Sequence, residues 1–315
     1  MRGAPVIDAV NDLMGAGTPA AWIADATGAT ISVVIPARNE AANLPHVLTR
    51  LPAGVDEIIL VDGHSVDDTI AVARAVCPRV RVVHQDGHGK GNALACGFAA
   101  ASGDIIVMLD ADGSTDPAEI PRYVDALLAG HDFAKGSRFL AGGGSADITR
   151  ARRLGNGALR SLVNVLFRTR YTDLCYGYNA FWQHCLPHID VTCDGFEVET
   201  LINVRIAGAG LRVAEVPSVE YERLFGESNL RATRDGLRIL RTILAERARL
   251  SGRRWRARAR ALAAAPSGAG GVRWGSADDA AATAILAVGL QPPLEPPVYL
   301  QVAASQAQPA GFLHP

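Results

Sequence analysis

Four apolar runs rich in β-branched residues recur along residues 31–112, and segments of helical character separate them. The first two runs are ISVVIPA (Ile31–Ala37) and EIILVDG (Glu57–Gly63), and the next two are RVRVVHQ and DIIVMLDAD. A strand that is apolar throughout is buried on both faces, as in parallel sheets that helices cover on both sides. The alternation predicts βαβ units and therefore an α/β fold, with a mostly parallel central sheet flanked by helices.

Polar residues of this region are concentrated in the loops that follow three of the predicted strands. The loops read PARNE after the first strand, DGHS after the second and DADGS after the fourth. Ligands of open parallel sheets bind beyond the carboxyl ends of the strands. The three loops therefore predict one binding site at one edge of the sheet.

Asp110 and Asp112 stand two residues apart at the end of the fourth run. Such a carboxylate pair can hold Mg²⁺ or Mn²⁺, while substrate phosphate oxygens and water supply the remaining ligands. The ion would neutralise charge as a diphosphate leaves. The other interpretation is that both acids cap a turn and the next helix. Their position after a buried strand, beside two other polar loops, favours the metal.

The overall composition is that of a soluble globular protein, with 49% apolar and 20% charged residues in a chain of 315. The net charge of −1 gives no reason to expect a nucleic-acid partner. Five cysteines without a CxxC pair predict reduced thiols and a cytoplasmic protein. The N-terminus is too polar for a signal peptide. The sequence contains no run of about eighteen apolar residues, so we expect no membrane-spanning helix.

Three regions of the chain differ in composition. Residues 1–29 are rich in Ala, Gly and Thr with weak periodicity, which predicts a loosely ordered leader. Residues 30–250 carry the alternating pattern and its continuation, and they are expected to form the folded domain. Residues 251–315 are first basic and then rich in Ala, Gly, Pro and Gln, which predicts a disordered tail.

Several segments resemble the inverting family-2 glycosyltransferases, which have the GT-A fold. They are ISVVIPARNEAANL, EIILVDGHSVDDT, GKGNALACGFAAASGDIIVMLDADGSTDP and KGSRF. YTDLCYGYNAFW and DGFEVETLINVRIAGAGLRVAEVPSVEYERLFGESNLR resemble one branch, the dolichyl- and polyprenyl-phosphate hexosyltransferases, which includes enzymes like dolichol-phosphate mannosyltransferase. The resemblance implies that residues 30–250 form a GT-A glycosyltransferase domain.

The resemblance also implies which residues bind the nucleotide sugar. The loop after the first strand and the aspartate after the second would hold the nucleoside, because carboxylates accept hydrogen bonds from ribose hydroxyls and base N–H groups. The glycines and lysine of GHGKGNAL would lie near the donor, where a helix N-terminus favours an anion. Helix capping is the alternative for Glu40 and, less well, for Asp62. The expected nucleotide-sugar-binding residues are Pro36, Ala37, Arg38, Glu40, Asp62, Lys90, Gly91, Asp110 and Ala111.

For the metal, the resemblance implies Mg²⁺ or Mn²⁺ bound by Asp110 and Asp112. In the mannosyl branch a glutamine two residues further on also reaches the ion, whereas this chain has Ser114 there. We expect Ser114 as the third protein ligand, although a hydroxyl binds less well than an amide oxygen. The small hydroxyl residue is more similar to the glucosyl branch, and GDP-mannose and UDP-glucose both remain open as donors.

The acceptor side differs from relatives that use a hydroxyl acceptor, many of which carry a Glu-Asp pair whose aspartate is the catalytic base. This chain has FEVE (Phe196–Glu199) there, which fits a phosphate acceptor that is already an anion. Two roles stay open for Glu197 and Glu199, orientation of the acceptor or sugar and action as a base. Cations should hold the phosphate, and the planar fork of arginine suits that task. Asp112 and Arg138 are the expected catalytic residues. The expected acceptor-phosphate residues are Arg138, Arg152, Arg153 and Arg223.

The implied reaction transfers a hexose from the nucleotide-diphosphate sugar to a polyprenyl phosphate, with inversion at the anomeric carbon. Since that acceptor resides in a bilayer, we expect a peripheral protein on the cytoplasmic face of the cell membrane. Two basic amphipathic segments could bind anionic lipid, Leu154–Arg170 and Arg231–Arg260, and the second has eleven arginines against two acids. The alternative is that their apolar stripes pack on the domain. We expect this for Leu237, Leu240, Ile243 and Leu244.

Two other functions are compatible with the sequence. One is an enzyme of the same fold that uses a soluble hydroxyl acceptor, and the other is a non-catalytic nucleotide-sugar-binding protein. The intact Asp110 and Asp112 argue against the second of these. A nucleotidyltransferase is a weaker alternative, because its glycine- and arginine-rich loop is absent from PARNEAANL.

Overall fold

The computed structural model of the protein describes residues 28–227, 231–264 and 300–301. Nearly all of the predicted leader and the larger part of the predicted tail lie outside the described residues, so the domain limits stay a prediction. The described residues contain ten strands: β1 Ile31–Ala37, β2 Glu57–Asp62, β3 Arg81–His84, β4 Ile105–Met108, β5 Phe133–Ser137, β6 Gly144–Ser145, β7 Asn179–Trp182, β8 Val213–Pro217, β9 Val219–Glu220 and β10 Leu300–Gln301. They also contain eight α-helices: α1 Leu44–Leu48, α2 Thr69–Val76, α3 Gly89–Ala100, α4 Ile120–Leu128, α5 Arg150–Phe167, α6 Leu186–Ile189, α7 Val198–Ala209 and α8 Ala232–Ala264.

Eight of these strands form one sheet, in the order β10-β8-β5-β7-β4-β1-β2-β3. Strand β7 runs antiparallel to both of its neighbours, and the remaining pairs are parallel. The mostly parallel sheet predicted from the apolar runs is confirmed. Because β4, β1 and β2 are adjacent and parallel, the loops that follow them meet at one edge of the sheet.

Helices cover both faces of the sheet, which explains why the central strands β1, β2 and β4 are apolar on both sides. Val33 and Ile35 of β1 point into a core that includes residues of α1, α2 and α4. Val34 points to the opposite core, which includes residues of α3, α5 and α7. All three side chains are fully buried. Alternation of the side chains across the sheet therefore divides the interior into two layers.

The amphipathic helix α5 packs its predicted apolar face on the second core. Val163 is fully buried, and its neighbours on that face are partly buried against the same cluster. Leu154 and Val165 lie on the other side, with 77% and 76% of their surfaces exposed. Among the described residues, no helix has the length and apolar character that crossing a membrane requires.

Helix α8 packs against α5 and α7 and extends to Ala264, beyond the domain limit expected at residue 250. Ile243 is fully buried, as predicted, and Ile239 is buried beside it. The prediction was wrong for Leu237 and Leu244, which are 57% and 52% exposed. The face that packs on the domain is centred on Ile239 and Ile243, so these two leucines fall on its outer flank.

Candidate active site

The loops after β1, β2 and β4 border a cleft of about 620 Å³, here called the main cleft. The loop after β1 and the loop after β4 both line it, since their strands are parallel neighbours in the sheet. Seven of the nine expected nucleotide-sugar-binding residues line it, and Asp62 and Gly91 do not. The seven lining residues are Pro36, Ala37, Arg38, Glu40, Lys90, Asp110 and Ala111.

Asp110 and Asp112 project from the loop after β4, and each already has a cation nearby. The Lys90 ammonium lies 2.7 Å from Asp110 Oδ1, and Arg223 Nη2 lies 3.5 Å from Asp112 Oδ2. Ser114 donates from both its hydroxyl and its backbone N–H to Asp112 Oδ1, at 2.6 and 3.0 Å. Ser114 therefore orients Asp112, and its expected part as a third metal ligand stays a prediction.

Lys90 joins the aspartate of the β4 loop to an acid of α7. Its ammonium is 2.7 Å from Asp110 Oδ1 and 2.7 Å from Glu199 Oε1. Burial by itself lowers the pKa of Lys90, but the two carboxylates outweigh burial and raise it above its usual range. Gly177 makes room for the cluster, because a Cβ there would lie 2.8 Å from the ammonium. Lys90 is thus held as a cation between two acids.

Glu40 lies deep in the main cleft with 6% of its surface exposed. Asn43 Nδ2 donates to Glu40 Oε2 at 2.6 Å, and Arg223 Nη2 is 2.8 Å from Oε1. Burial raises the pKa of Glu40, although Asn43 and Arg223 oppose that effect. The side chain of Glu40 therefore does not cap a helix, because it accepts hydrogen bonds from the side chains of Asn43 and Arg223.

Two expected donor residues have other contacts. The Asp62 carboxylate is 3.3 Å from the backbone N of Ser65 and 3.6 Å from His84 Nδ1, and Gly63 lines the cleft in its place. The backbone N–H of Gly91 donates to the carbonyl of Asp194 at 2.9 Å. A Cβ on Gly91 would lie 2.0 Å from a carbonyl oxygen of the same segment. Gly91 thus serves close packing that brings residues 194–196 to the cleft wall.

A second cavity of about 370 Å³, here called the side cavity, adjoins the main cleft. The two share five lining residues, among them Asp110 and Asp112. The cations that line the side cavity are Lys90, Arg152 and Arg223, and each of them is paired with an acid. Acids outnumber these cations by six to three, which makes the side cavity negatively charged. The six acids are Asp110, Asp112, Asp147, Glu199, Glu220 and Glu222.

Arg138 does not lie where the sequence placed it. Its side chain is 3% exposed, its Nε is 2.7 Å from Asp173 Oδ2, and its Nη1 is 3.0 Å from Glu220 Oε2. Two carboxylates therefore already occupy the fork that was expected to bind phosphate. This pairing argues against the expected catalytic and phosphate-binding role of Arg138, because the guanidinium instead links the segment after α5 to β9.

The other expected acceptor arginines divide into two groups. Arg152 lines the side cavity, but its Nη1 is 2.7 Å from Asp147 Oδ2. Arg223 lines both cavities. Arg153 is exposed and its guanidinium stacks over the ring of Phe139 at 5.5 Å, and it lines neither cavity. Only two of the four arginines are thus brought to the candidate site.

The sequence analysis missed three arginines that line the main cleft at the start of α8: Arg231, Arg234 and Arg238. The chain places them three and four residues apart, the spacing that puts side chains on one side of a helix. That spacing was the available signal, but the residues were grouped with the longer basic block and assigned to lipid. Their position in the cleft became visible only when α8 packed against α7.

Among the described residues, no group of three or more His, Cys, Asp or Glu side chains could hold a metal ion alone. Asp110 and Asp112 are nevertheless partly exposed to the cavities, at 28% and 22% of their side-chain surfaces. Carboxylate oxygens are the ligands that Mg²⁺ and Mn²⁺ take, and substrate phosphates commonly complete the shell. The pair therefore fits a divalent cation that is shared with a substrate.

Comparison with known proteins defines the class of this chain. The family model described as glycosyl transferase family 2 matches residues 32–193, which include β1 to β4 and both aspartates. The chain belongs to this family, it has the GT-A fold, and it is a glycosyltransferase. The resemblance to family-2 glycosyltransferases inferred from the sequence is thereby confirmed.

Relatives place the chain more narrowly within that family. It is 31% identical over 212 residues to the undecaprenyl-phosphate mannosyltransferase of Micrococcus luteus, with 64% of this chain and 87% of that protein covered. It is 30% identical over 209 residues to the glycosyltransferase AglJ of Haloferax volcanii, with coverage of 65% and 68%. The resemblance to the polyprenyl-phosphate hexosyltransferase branch is confirmed.

A solved structure with the same fold is the glucosyl-3-phosphoglycerate synthase of Mycobacterium tuberculosis in complex with Mn²⁺, UDP and phosphoglyceric acid. Its TM-score is 0.58 at 26% identity, and the match covers 74% of this chain and 84% of that chain.

Proposed function

We propose that this protein is a metal-dependent, inverting glycosyltransferase that moves a hexose from a nucleotide-diphosphate sugar to a polyprenyl phosphate. One observation carries the proposal: Asp110 and Asp112 stand where the main cleft and the side cavity meet. A donor that enters through one cavity and an acceptor that approaches past the other would meet beside these two carboxylates.

Asp110 and Asp112 would hold Mg²⁺ or Mn²⁺, which when bound neutralises the charge of the departing nucleoside diphosphate. Ser114 fixes the orientation of Asp112. Lys90 fixes Asp110 from the other side through its ion pair. The solved relative with Mn²⁺ and UDP supports this assignment of the metal.

The remaining residues of the main cleft would bind and orient the donor. The backbone and side chains of Pro36, Ala37 and Arg38 line the part next to Gly63, which suits a nucleoside. Glu40 offers carboxylate oxygens to ribose or base, and Arg223 keeps it in place. Binding in this fixed arrangement lowers the barrier by positioning the two reactants.

Inversion requires the acceptor to attack the anomeric carbon on the face opposite the leaving diphosphate. A polyprenyl phosphate is already ionised near neutral pH, so this step needs no general base. The environment of Glu199 agrees with that view, because its Oε1 is 2.7 Å from Lys90 Nζ. We assign Glu199 to orientation of the lysine.

The proposal includes peripheral contact with the cytoplasmic face of a membrane. Leu154 and Val165 of α5 and Leu237 and Leu244 of α8 are exposed, and the two helices pack together. Exposed apolar side chains among arginines are typical of interfacial helices. In a flotation assay, the wild-type protein should move to the top of the gradient with anionic vesicles. Replacement of the four exposed side chains by serine should reduce the fraction of protein bound to the vesicles.

The test is a transfer assay with GDP-mannose and UDP-glucose as labelled donors, undecaprenyl phosphate as acceptor, and Mn²⁺ or Mg²⁺. We expect a labelled lipid from at least one donor, and its loss with EDTA or in Asp112→Ala. Asp125→Ala, an exposed acid of α4, is the matched control and should retain activity. Metal-independent transfer, or full activity of a folded Asp112→Ala variant, would refute the proposal.

A second candidate is transfer to a soluble phosphorylated acceptor. The solved relative with phosphoglyceric acid favours it, and the acidic side cavity is suited to hydroxyl groups as hydrogen-bond donors. The same assay with 3-phosphoglycerate in place of the lipid separates the candidates, since only an enzyme of the second class should form a labelled soluble glycoside with release of the nucleoside diphosphate.

A further inference from the structure

Arg231, Arg234 and Arg238 give the main cleft a cationic wall, and the residues that the structure describes provide no ion-pair partner to any of the three. The other cations near the two aspartates differ in this respect. Lys90 is paired with Asp110 and Glu199, and Arg223 is paired with Glu40. Arg38 also lines the main cleft without an ion-pair partner among the described residues, but the wall gathers three such arginines at one end of α8.

Two contacts near the start of α8 help to hold the wall, one at Arg231 and one at Arg238. The backbone N–H of Arg231 donates to Asp235 Oδ2 at 2.7 Å. Arg234 and Arg238 are one turn apart on the same side of the helix. A Cβ on Gly195 would lie 2.8 Å from Arg238 Nη1, so the absence of a side chain at Gly195 gives this guanidinium its space.

The wall also stands near the place where the two cavities meet. Arg238 lines the main cleft, and Ile239, the next residue, lines the side cavity. Phe196, beside the segment that touches Arg238, lines both. A group bound at the Arg238 end of the wall would therefore lie toward the border of the two cavities, where an attacking acceptor must approach.

Electrostatics excludes the more obvious positions for an acceptor phosphate. Within the side cavity, Lys90, Arg152 and Arg223 are each already paired with an acid, so none of these cations is free to bind a phosphate. Arg138 is covered by Asp173 and Glu220. Unpaired arginines bind phosphate oxygens through two parallel hydrogen bonds, and they keep their charge at all ordinary pH values.

We propose that Arg231, Arg234 and Arg238 bind the phosphate group of the acceptor. This inference rests on the proposed function in that it takes the acceptor to carry a phosphate. The phosphate could belong to a polyprenyl lipid or to a soluble phosphate ester, because the guanidinium groups recognise the same oxygens in both. In either case the phosphate is held beside the donor sugar, and the rest of the acceptor extends away from the cleft.

The first experiment compares the variants Arg234→Ala, Arg238→Ala and the double variant with wild type. Arg241→Ala is the matched control, because Arg241 is an exposed arginine on the next turn and lines neither cavity. Acceptor KM is measured for farnesyl phosphate and for 3-phosphoglycerate. The Kd for UDP and GDP with Mn²⁺ is measured by calorimetry, and circular dichroism checks folding.

Loss of a charged hydrogen bond weakens binding about tenfold or more, so we expect acceptor KM to rise about tenfold in each single variant and further in the double variant. Nucleotide Kd should change less than about twofold, and Arg241→Ala should resemble wild type. A weaker nucleotide Kd with unchanged acceptor KM would assign the wall to the donor diphosphate and overturn the proposal. Unchanged values for both would overturn it as well.

A second experiment separates failure of this inference from failure of the proposed function. Direct binding of farnesyl phosphate, farnesol and 3-phosphoglycerate is measured without donor, so that no transfer is required. Phosphate-dependent binding that is lost in the double variant supports the wall even if no lipid product is ever formed. Equal binding by wild type and the double variant, or no binding of either phosphate, would refute it.

Discussion

Arg223 spans the main cleft to reach Glu40, with its Nη2 2.8 Å from Oε1, although the two residues are 183 positions apart in the chain. The same guanidinium lies 3.5 Å from Asp112 Oδ2. One side chain thus connects the segment after β9 to the loop after β1 and to the aspartate pair. The segment that borders the side cavity is thereby coupled to the residues that line the main cleft.

Replacement of Arg223 should impair transfer more than stability. Removing a hydrogen bond between charged groups costs about 1.5–3 kcal/mol, so we expect kcat/KM of Arg223→Ala to fall about tenfold to a hundredfold. Arg223→Lys should recover part of the activity, since it restores charge without the fork. Arg212→Ala serves as control, because that exposed arginine pairs with Asp132 near the start of β5. Equal loss in both variants would contradict the coupling.

Lys90 should be needed for stability because it neutralises a buried acid. Lys90→Met leaves Glu199, with 6% of its side chain exposed, without its cation. Breaking such a pair costs about 3–5 kcal/mol in unfolding free energy when both groups are buried. The second change Glu199→Gln should restore much of that loss, since it removes the stranded charge. Urea unfolding of the single and double variants tests this, and additive losses would contradict it.

Arg138 should prove structural. Its partner Asp173 is fully buried, and although burial raises the pKa of that acid, Arg138 holds it below its usual range. Arg138→Met should therefore lower the free energy of unfolding by about 3–5 kcal/mol. In the protein that remains folded at low temperature, acceptor KM should stay within about twofold of wild type. A raised acceptor KM with unchanged stability would restore the catalytic role first expected from sequence.

Gly91 should not tolerate a side chain, whereas Gly155 should. A Cβ on Gly91 would lie 2.0 Å from the backbone oxygen of Cys193, while a Cβ on Gly155 of α5 meets no atom within 4 Å. Gly91→Ala should displace residues 193–196 and weaken both stability and nucleotide binding. Gly155→Ala should be neutral or stabilise the protein by about 0.5–1 kcal/mol, because alanine favours a helix. Thermal unfolding and nucleotide titration compare the two, and similar results for both would contradict the packing argument.

Glu119 should make stability depend on pH near neutrality. Burial raises the pKa of Glu119 from 4.5 to about 7, against the opposing effects of the Ser218 hydroxyl and Arg122. Since the folded state holds the proton more tightly than the unfolded chain, this stabilisation is present below pH 4.5 and is lost as pH rises through about 7. The loss amounts to about 3 kcal/mol.

Glu119→Gln keeps the shape of the side chain and removes its charge. The free energy of unfolding, measured from pH 5 to pH 8 for both proteins, should therefore fall more steeply for wild type. Because Glu119 contacts Ser218 and Val219 just before the segment of Arg223, activity should follow the same difference. Parallel stability curves for the two proteins would contradict the raised pKa.

Local sequence patterns predicted the sheet and its ligand-binding edge. The apolar run of β1 indicated burial on both faces, and Val33 and Val34 are indeed buried in opposite cores. The apolar stripe of α8 was predicted less well. Its leucines were assigned to the packed face, but Leu237 and Leu244 are exposed and Ile239 is buried in their place. The spacing of apolar residues along α8 can be read from neighbouring positions. The side of α8 on which α7 packs depends on residues that are distant in the chain.

For this protein, the sequence by itself determined the class of fold, the three polar loops and the position of Asp110 and Asp112, because strand burial and loop polarity are properties of neighbouring residues. Only the tertiary structure decided which charges are paired. Arg138 meets Glu220 across 82 positions of the chain, and Arg223 meets Glu40 across 183. A sequence does not show whether an arginine is paired with an acid. The distance between the guanidinium and a carboxylate is set in the folded protein by the packing of segments that are far apart in the chain.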